Sequence, residues 1–108
     1  MGRFVKGDVV VVPFPYADLS QTKRRPALVL ATFPNGDSLL CQITSQPAED
    51  SILLDEKHFV SGSLRKRSYI RPQRLFTADA ALLLYRAGQV QPDITTAVVE
   101  QIIAFLNA

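Results

Sequence analysis

Residues 26–44 read Pro-Ala-Leu-Val-Leu-Ala-Thr-Phe-Pro-Asn-Gly-Asp-Ser-Leu-Leu-Cys-Gln-Ile-Thr. Two short apolar runs flank Asn35-Gly36-Asp37, the strongest turn signal in the chain. Asn-Gly favours the positive φ angles of tight hairpin turns, so the segment predicts two antiparallel strands, 26–33 and 38–44. In such a pair the start of one strand lies beside the end of the other, which brings Arg25 close to Thr44.

The neighbouring segments extend the β reading. Val9–Val12 is a run of β-branched residues closed by Pro13-Phe14-Pro15. Such residues are stiff at χ1 and pack well on a pleated surface. Residues 15–25 read as a loop. Pro26 opens the next strand, a position where its missing N–H is tolerated. Ile52–Leu54 predicts a short strand, His58–Ser63 a loop, and Ser68–Arg71 a strand stopped by Pro72. Thr77 predicts the cap of a helix over 78–85, with Gly88 near its end. A last helix is expected from Pro92 or Asp93, because Ile94, Val98, Ile102 and Phe105–Leu106 form one apolar stripe. Strands first and helices last predict a mainly β fold: a small barrel or sandwich with C-terminal helices on one side.

The chain has 108 residues, and no repeat, linker or low-complexity tract divides it. A single domain over residues 1–108 is expected. Hydrophobic residues make up 47% and charged residues 20%, a composition that argues against disorder. Cys41 is the only cysteine and His58 the only histidine, so one chain offers neither a disulfide nor an all-protein Cys/His zinc site. Glu49, Asp50, Asp55 and Glu56 lack metal-site spacing and read as a solvated face. No metal or other cofactor is expected. Neither a membrane span nor a signal peptide is evident, which points to the cytoplasm.

The net charge is +2, but residues 61–76 carry Arg65, Lys66, Arg67, Arg71 and Arg74 with no acid. A second block, Lys23-Arg24-Arg25, stands at the entry of the Ala27–Ala31 strand. Two separated basic blocks form one patch if the fold joins them; otherwise each is a solvated face. Arg25 precedes Pro26, so its backbone is biased toward extended geometry. Gln42-Ile43-Thr44-Ser45-Gln46 gathers hydroxyls and amides that can hold a phosphate or a base edge, or cap a turn. Cys41 lies in an apolar strand and reads as a buried structural thiol. His58 reads as a loop residue, since a two-histidine acid–base mechanism needs a second chain.

These segments, taken in order, resemble the MazF/PemK-like toxins of bacterial type II toxin–antitoxin systems. The resemblance rests on Lys6-Gly7-Asp8-Val9-Val10, Pro13-Phe14, Lys23-Arg24 and Arg25-Pro26-Ala27-Leu28-Val29-Leu30. It continues through Ile43-Thr44-Ser45-Gln46, Ser68-Tyr69-Ile70-Arg71, Arg74-Leu75 and the final amphipathic helix. It implies an SH3-like barrel that dimerises and cleaves single-stranded RNA without a metal, leaving a cyclic phosphate and a free 5′ hydroxyl. The family's catalytic arginine and threonine match Arg25 and Thr44. Gln73 stands where some members carry an acid.

Cleavage by the RNA's own 2′ hydroxyl needs in-line positioning and stabilisation of charge on the phosphate. A guanidinium supplies a matching fork of donors. Around the Arg25–Thr44 pair, Lys23, Arg24, Ser45, Gln46, Arg65, Arg71 and Arg74 are the expected substrate-binding groups. Phe14 and Tyr16 suit base stacking, with core packing as the alternative for Phe14. The implied partners are single-stranded RNA, a cognate antitoxin with an acidic flexible tail, and a second copy of the chain. The same residues also fit a non-catalytic SH3-like barrel that binds nucleic acid or blocks a protein target such as a topoisomerase.

Overall fold

The computed structural model describes residues 4–15 and 22–108. Its strands are β1 (Asp8–Pro15), β2 (Thr22–Thr32), β3 (Asp37–Thr44), β4 (Ile52–Leu54), β5 (Phe59–Gly62), β6 (Ser68–Asp79) and β7 (Tyr85–Val90). One α-helix, α1 (Pro92–Leu106), ends the chain, and single 3-10 turns span Glu56–His58 and Ala80–Leu82. Among the described residues the strands form one seven-stranded sheet in the order β4-β6-β3-β2-β1-β7-β5. Every pairing is antiparallel, and the sheet curls into a half-barrel. The mainly β expectation holds.

The run of valines reflects burial on both faces. Strands buried on both faces read as continuous apolar runs instead of alternating ones. On one face Val9, Leu28, Cys41, Ile43 and Ile70 pack with Ile94 and Val98 of α1. On the other, Val10, Val12, Ala27, Val29 and Leu40 pack with Ala78 and Leu83. Phe14 joins this second layer, its ring edge-to-face with Phe76 at a centroid distance of 4.8 Å. Core packing, the alternative to base stacking, is what Phe14 does.

The hairpin turn closes as the sequence requires. Gly36 takes φ of 96°, and the Asp37 N–H donates to Asn35 Oδ1 at 3.0 Å. The Phe33 N–H donates to the Asp37 carbonyl at 2.8 Å. Between Val29 and Ala31 the β2–β3 register shifts by one residue.

Several expectations fail locally. Pro13-Phe14-Pro15 continue β1, and residues 22–25, expected as loop before a strand opened by Pro26, belong to β2, because the two segments pair with each other, from Val12 with Arg25 to Pro15 with Thr22. The segment expected as a helix over 78–85 finishes β6, makes one 3-10 turn capped by the Asp79 carboxylate, and starts β7. Pairing of Thr77 with Leu39 and Ala78 with Ser38 outweighs the helix propensity of Ala80–Leu84. Gly88 lies within β7, not at a helix end. Pro72 does not stop β6, because the β3–β6 register breaks between Cys41 and Ile43 and leaves the residues around Pro72 outside regular pairing. The expected loop His58–Ser63 contains edge strand β5, and His58 Nδ1 accepts the Asp55 N–H at 2.8 Å within a capping box.

β5 approaches β7 closely at Gly88. A Cβ there would sit 2.6 Å from the Ser61 carbonyl oxygen and 2.9 Å from the Phe59 ring. Gly88→Ala is therefore expected to destabilise the protein by about 1–3 kcal/mol through backbone displacement. A thermal melt checks this, and an unchanged midpoint would contradict the close approach.

Candidate active site

The hairpin register places the two central side chains. β2 and β3 pair Ala27 with Gln42, and the same register carried two residues further sets Arg25 opposite Thr44. On its other edge β2 pairs Arg25 with Val12 of β1, which holds the arginine backbone on that side. The side chain of Arg25 is half-buried, whereas Lys23 and Arg24 are exposed.

Thr44 is oriented by the turn that follows it. Its Oγ1 accepts the Gln46 N–H at 3.1 Å. One of its two lone pairs is thus engaged, and the hydroxyl proton stays available to an acceptor in the groove.

Arg25 and Thr44 share the wall of an open groove of about 650 Å³. Lys23, Arg24 and Ser45 line it beside them, and Arg65 and Lys66 enter from the β5–β6 connection. Arg86 and Tyr85 of β7 complete it. No carboxylate lines the groove among the described residues. The first basic block and the Arg65-Lys66 start of the second therefore form one patch, while Arg67 and Arg74 stand apart from it. Six cations around one concave surface create a field that concentrates polyanions.

A second cavity of about 480 Å³ adjoins the first and shares Thr44 with it. Gln46, Glu49, Asp50, Arg71 and Gln73 line this second space. Arg71 Nε is buried and has no hydrogen-bond partner among the described residues. An unpaired buried donor is costly, and this one borders a cavity that also carries Glu49 and Asp50.

The remaining expected site residues separate. Arg74 is exposed and lines neither cavity. Tyr16 lies outside the described residues. Sequence reasoning passed over Lys66, Tyr85 and Arg86 as site residues. Lys66 sits in the basic block and was open to selection by charge alone, whereas Arg86 is isolated in sequence and carries no such signal. Arg67, in the same block, turns instead to Asp55 at 3.6 Å. Among the described residues no three His, Cys, Asp or Glu side chains gather as a metal cluster. No helix there is long and apolar enough to cross a membrane.

With this geometry in place, the comparison with known proteins is specific. The model of the PemK-like, MazF-like toxins of type II toxin–antitoxin systems matches residues 5–106. The chain belongs to this family. No curated protein sequence matches it. Among solved structures, a chain of the MazE–MazF complex of Deinococcus radiodurans is similar in fold, with a TM-score of 0.77 at 22% identity. That match covers 97% of this chain and 96% of the other. A mycobacterial endoribonuclease in complex with its cognate antitoxin matches with a TM-score of 0.70 at 15% identity, over 97% and 93% of the two chains. The Mycobacterium tuberculosis toxin MazF-mt6 matches with a TM-score of 0.70 at 19% identity, over 93% and 96%.

Beneath the site of this PemK/MazF-like chain lies Cys41. Its Sγ–H donates to the Arg71 carbonyl at 2.9 Å. Burial pushes its pKa up to about 12, against a smaller opposing effect of the Arg71 backbone. The thiol therefore stays protonated and inert in the native state. Iodoacetamide at pH 8 is expected to leave Cys41 unmodified until denaturant is added, by mass spectrometry. Alkylation of the native protein at the rate of a free thiol would contradict the burial.

Proposed function

We propose that the protein is the toxin of a type II toxin–antitoxin system and a metal-independent endoribonuclease acting on single-stranded RNA. The observation that carries this reading is the meeting of Arg25 and Thr44 at the wall of a groove with no acid among its described residues. In the proposed reaction the substrate's 2′ oxygen attacks the adjacent phosphorus and the bond to the 5′ oxygen breaks. The 2′ hydroxyl loses its proton and the departing 5′ oxygen gains one, leaving a 2′,3′-cyclic phosphate and a 5′ hydroxyl. The nucleophile belongs to the substrate, so the protein need only position the phosphate and stabilise its charge.

Arg25 suits that task through a planar fork of donors held near the strand entry. With one lone pair engaged by the Gln46 N–H, Thr44 adds a hydroxyl donor to the same phosphate. Lys23, Arg24, Arg65 and Lys66 bind flanking phosphates along the groove, and Ser45 adds a polar contact. Gln46 and Arg71 extend the site into the adjoining cavity. The exposed ring of Tyr85 suits stacking on an unpaired base.

The same cationic groove suits the acidic flexible tail of a cognate antitoxin, which would compete with RNA. A homodimer is supported by apolar side chains left exposed on α1, among them Ile103, Phe105 and Leu106. Sedimentation should then give twice the 11.9 kDa chain mass. A monomer at micromolar concentration would contradict this part of the reading.

Arg25→Ala and Thr44→Ala are each expected to lower single-turnover RNA cleavage by roughly 10²–10³ with the fold intact. Arg25→Lys should lose most activity too, because a point charge does not reproduce the fork. Wild-type rates in both alanine variants would overturn the assignment. Absence of cleavage by the wild type, with nucleic acid still bound, would favour the non-catalytic barrel.

The two arginines flanking Lys66 are expected to differ. Arg65→Glu should weaken binding of a single-stranded oligonucleotide roughly tenfold, because it reverses a charge in the groove. Arg67→Glu should have less effect, since that side chain is directed to Asp55. Equal effects in a titration at fixed salt would show that the groove wall is drawn wrongly.

A further inference from the structure

The start of β1 carries the one carboxylate in the buried core of the described residues, Asp8, which has no exposed surface. The Val5 N–H donates to its Oδ2 at 2.9 Å and Gln89 Nε2 donates to its Oδ1 at 3.2 Å. Arg86 Nε lies 3.2 Å from Asp8 Oδ2, while the Arg86 side chain remains 49% exposed. A buried carboxylate needs a paired cation, so this contact is strongly enforced.

The sheet is built to make the contact. β1 and β7 pair Asp8 with Gln89 and Val9 with Gly88. A regular ladder would next set Ala87 opposite Val10. Arg86 stands there instead, because β7 carries one extra residue at this point. A one-residue shift moves a side chain to the other face of a strand, and bulges re-aim side chains in this way. The bulge gives Arg86 the face shared by Asp8 and Val10. Arg25 is on that face too, since it pairs with Val12. Edge strand β5 fits the bulge closely, as a Cβ on Gly62 would collide with the Ala87 carbonyl.

We infer that Asp8 is a positioning residue that holds Arg86 by its Nε, so that the outer edge of the guanidinium forms a fixed phosphate-binding point in the groove. This rests on the reading of the groove as a nucleic-acid site. The charge of Asp8 partly offsets that of Arg86, so its contribution is orientation and not attraction. Arg24, Arg65 and Lys66 are exposed and are not held by a carboxylate within 4 Å among the described residues, and they must be ordered by the ligand itself. Among the described residues, Arg86 alone of the groove cations has a buried acid fixing one side of its fork. Arg86 lines the same groove as Arg25, so it offers the bound strand a second fixed point.

The test is binding of an all-deoxy single-stranded oligonucleotide, which lacks the 2′ hydroxyl, followed by anisotropy across a salt series. Arg86→Ala is expected to weaken binding roughly tenfold and to reduce the salt slope by about 0.7, the loss of one phosphate contact. Asp8→Asn is expected to weaken binding in the same direction. The double variant should be no weaker than Arg86→Ala, because Asp8 acts only through Arg86. Additive losses would overturn the inference. Arg86→Lys provides a check that does not perturb the buried carboxylate. A lysine has no second edge to present, so it should bind like Arg86→Ala, and full rescue by lysine would overturn the positioning role. Arg25→Ala separates the two levels of the argument. If it weakens binding and Arg86→Ala does not, the inference alone fails. If the wild type does not bind, or Arg25→Ala and Arg86→Ala are both without effect, the nucleic-acid reading falls and takes the inference with it.

Discussion

The register of the β2–β3 hairpin is the constraint on which the rest of the site depends. Near the turn, Ala31 pairs with Leu39; beyond the irregularity, Val29 pairs with Leu40. Continued without that shift, the ladder would set Arg25 opposite Ser45. The shift sets it opposite Thr44 and also decides which face each β3 side chain takes. Leu40 thus joins one apolar layer while Cys41 and Ile43 join the other. The tight turn at Gly36 anchors the whole arrangement at its closed end. Core packing and site geometry are therefore fixed by the same pairing.

Around that pair the fold gathers charge that it does not neutralise. Arg67 and Arg86 have carboxylate partners among the described residues, but the groove lining itself contains no acid. Clustered cations repel one another and lower stability modestly, so such a surface is a cost unless an anion binds there. Chains that dissociate from such a surface should do so faster as salt rises, because counterions compete for it.

Much of this was legible in the sequence, and the reasons are local. Val9–Val12, Ala27–Ala31 and the Asn35-Gly36-Asp37 turn state their conformations through χ1 stiffness and turn chemistry. Antiparallel pairing alone brings Arg25 to the end of β3, while the choice of Thr44 over Ser45 as its partner rests on the register shift. The failures occur where long-range pairing overrides local signals. Ala80–Leu84 has helical propensity but is bounded by two paired strands, and Leu83 is drawn into the second apolar layer. Pro72 reads as a strand stop, yet it falls where β6 is already out of regular register with β3. β5 was missed because its exposed residues, Val60 to Gly62, carry no burial pattern. Arg86 was missed because a bulge, invisible in composition, decides which face it takes.

The central claim is that the protein supplies position and charge while the RNA supplies the nucleophile. The most direct measurement uses an RNA cut at one mapped bond, compared with the same RNA carrying a single 2′-deoxy nucleotide on the 5′ side of that bond. The account predicts that the substituted strand binds with similar affinity and is not cut there, while the parent gives a 2′,3′-cyclic phosphate end in the presence of chelator. Cleavage of the substituted strand at the same bond would contradict it.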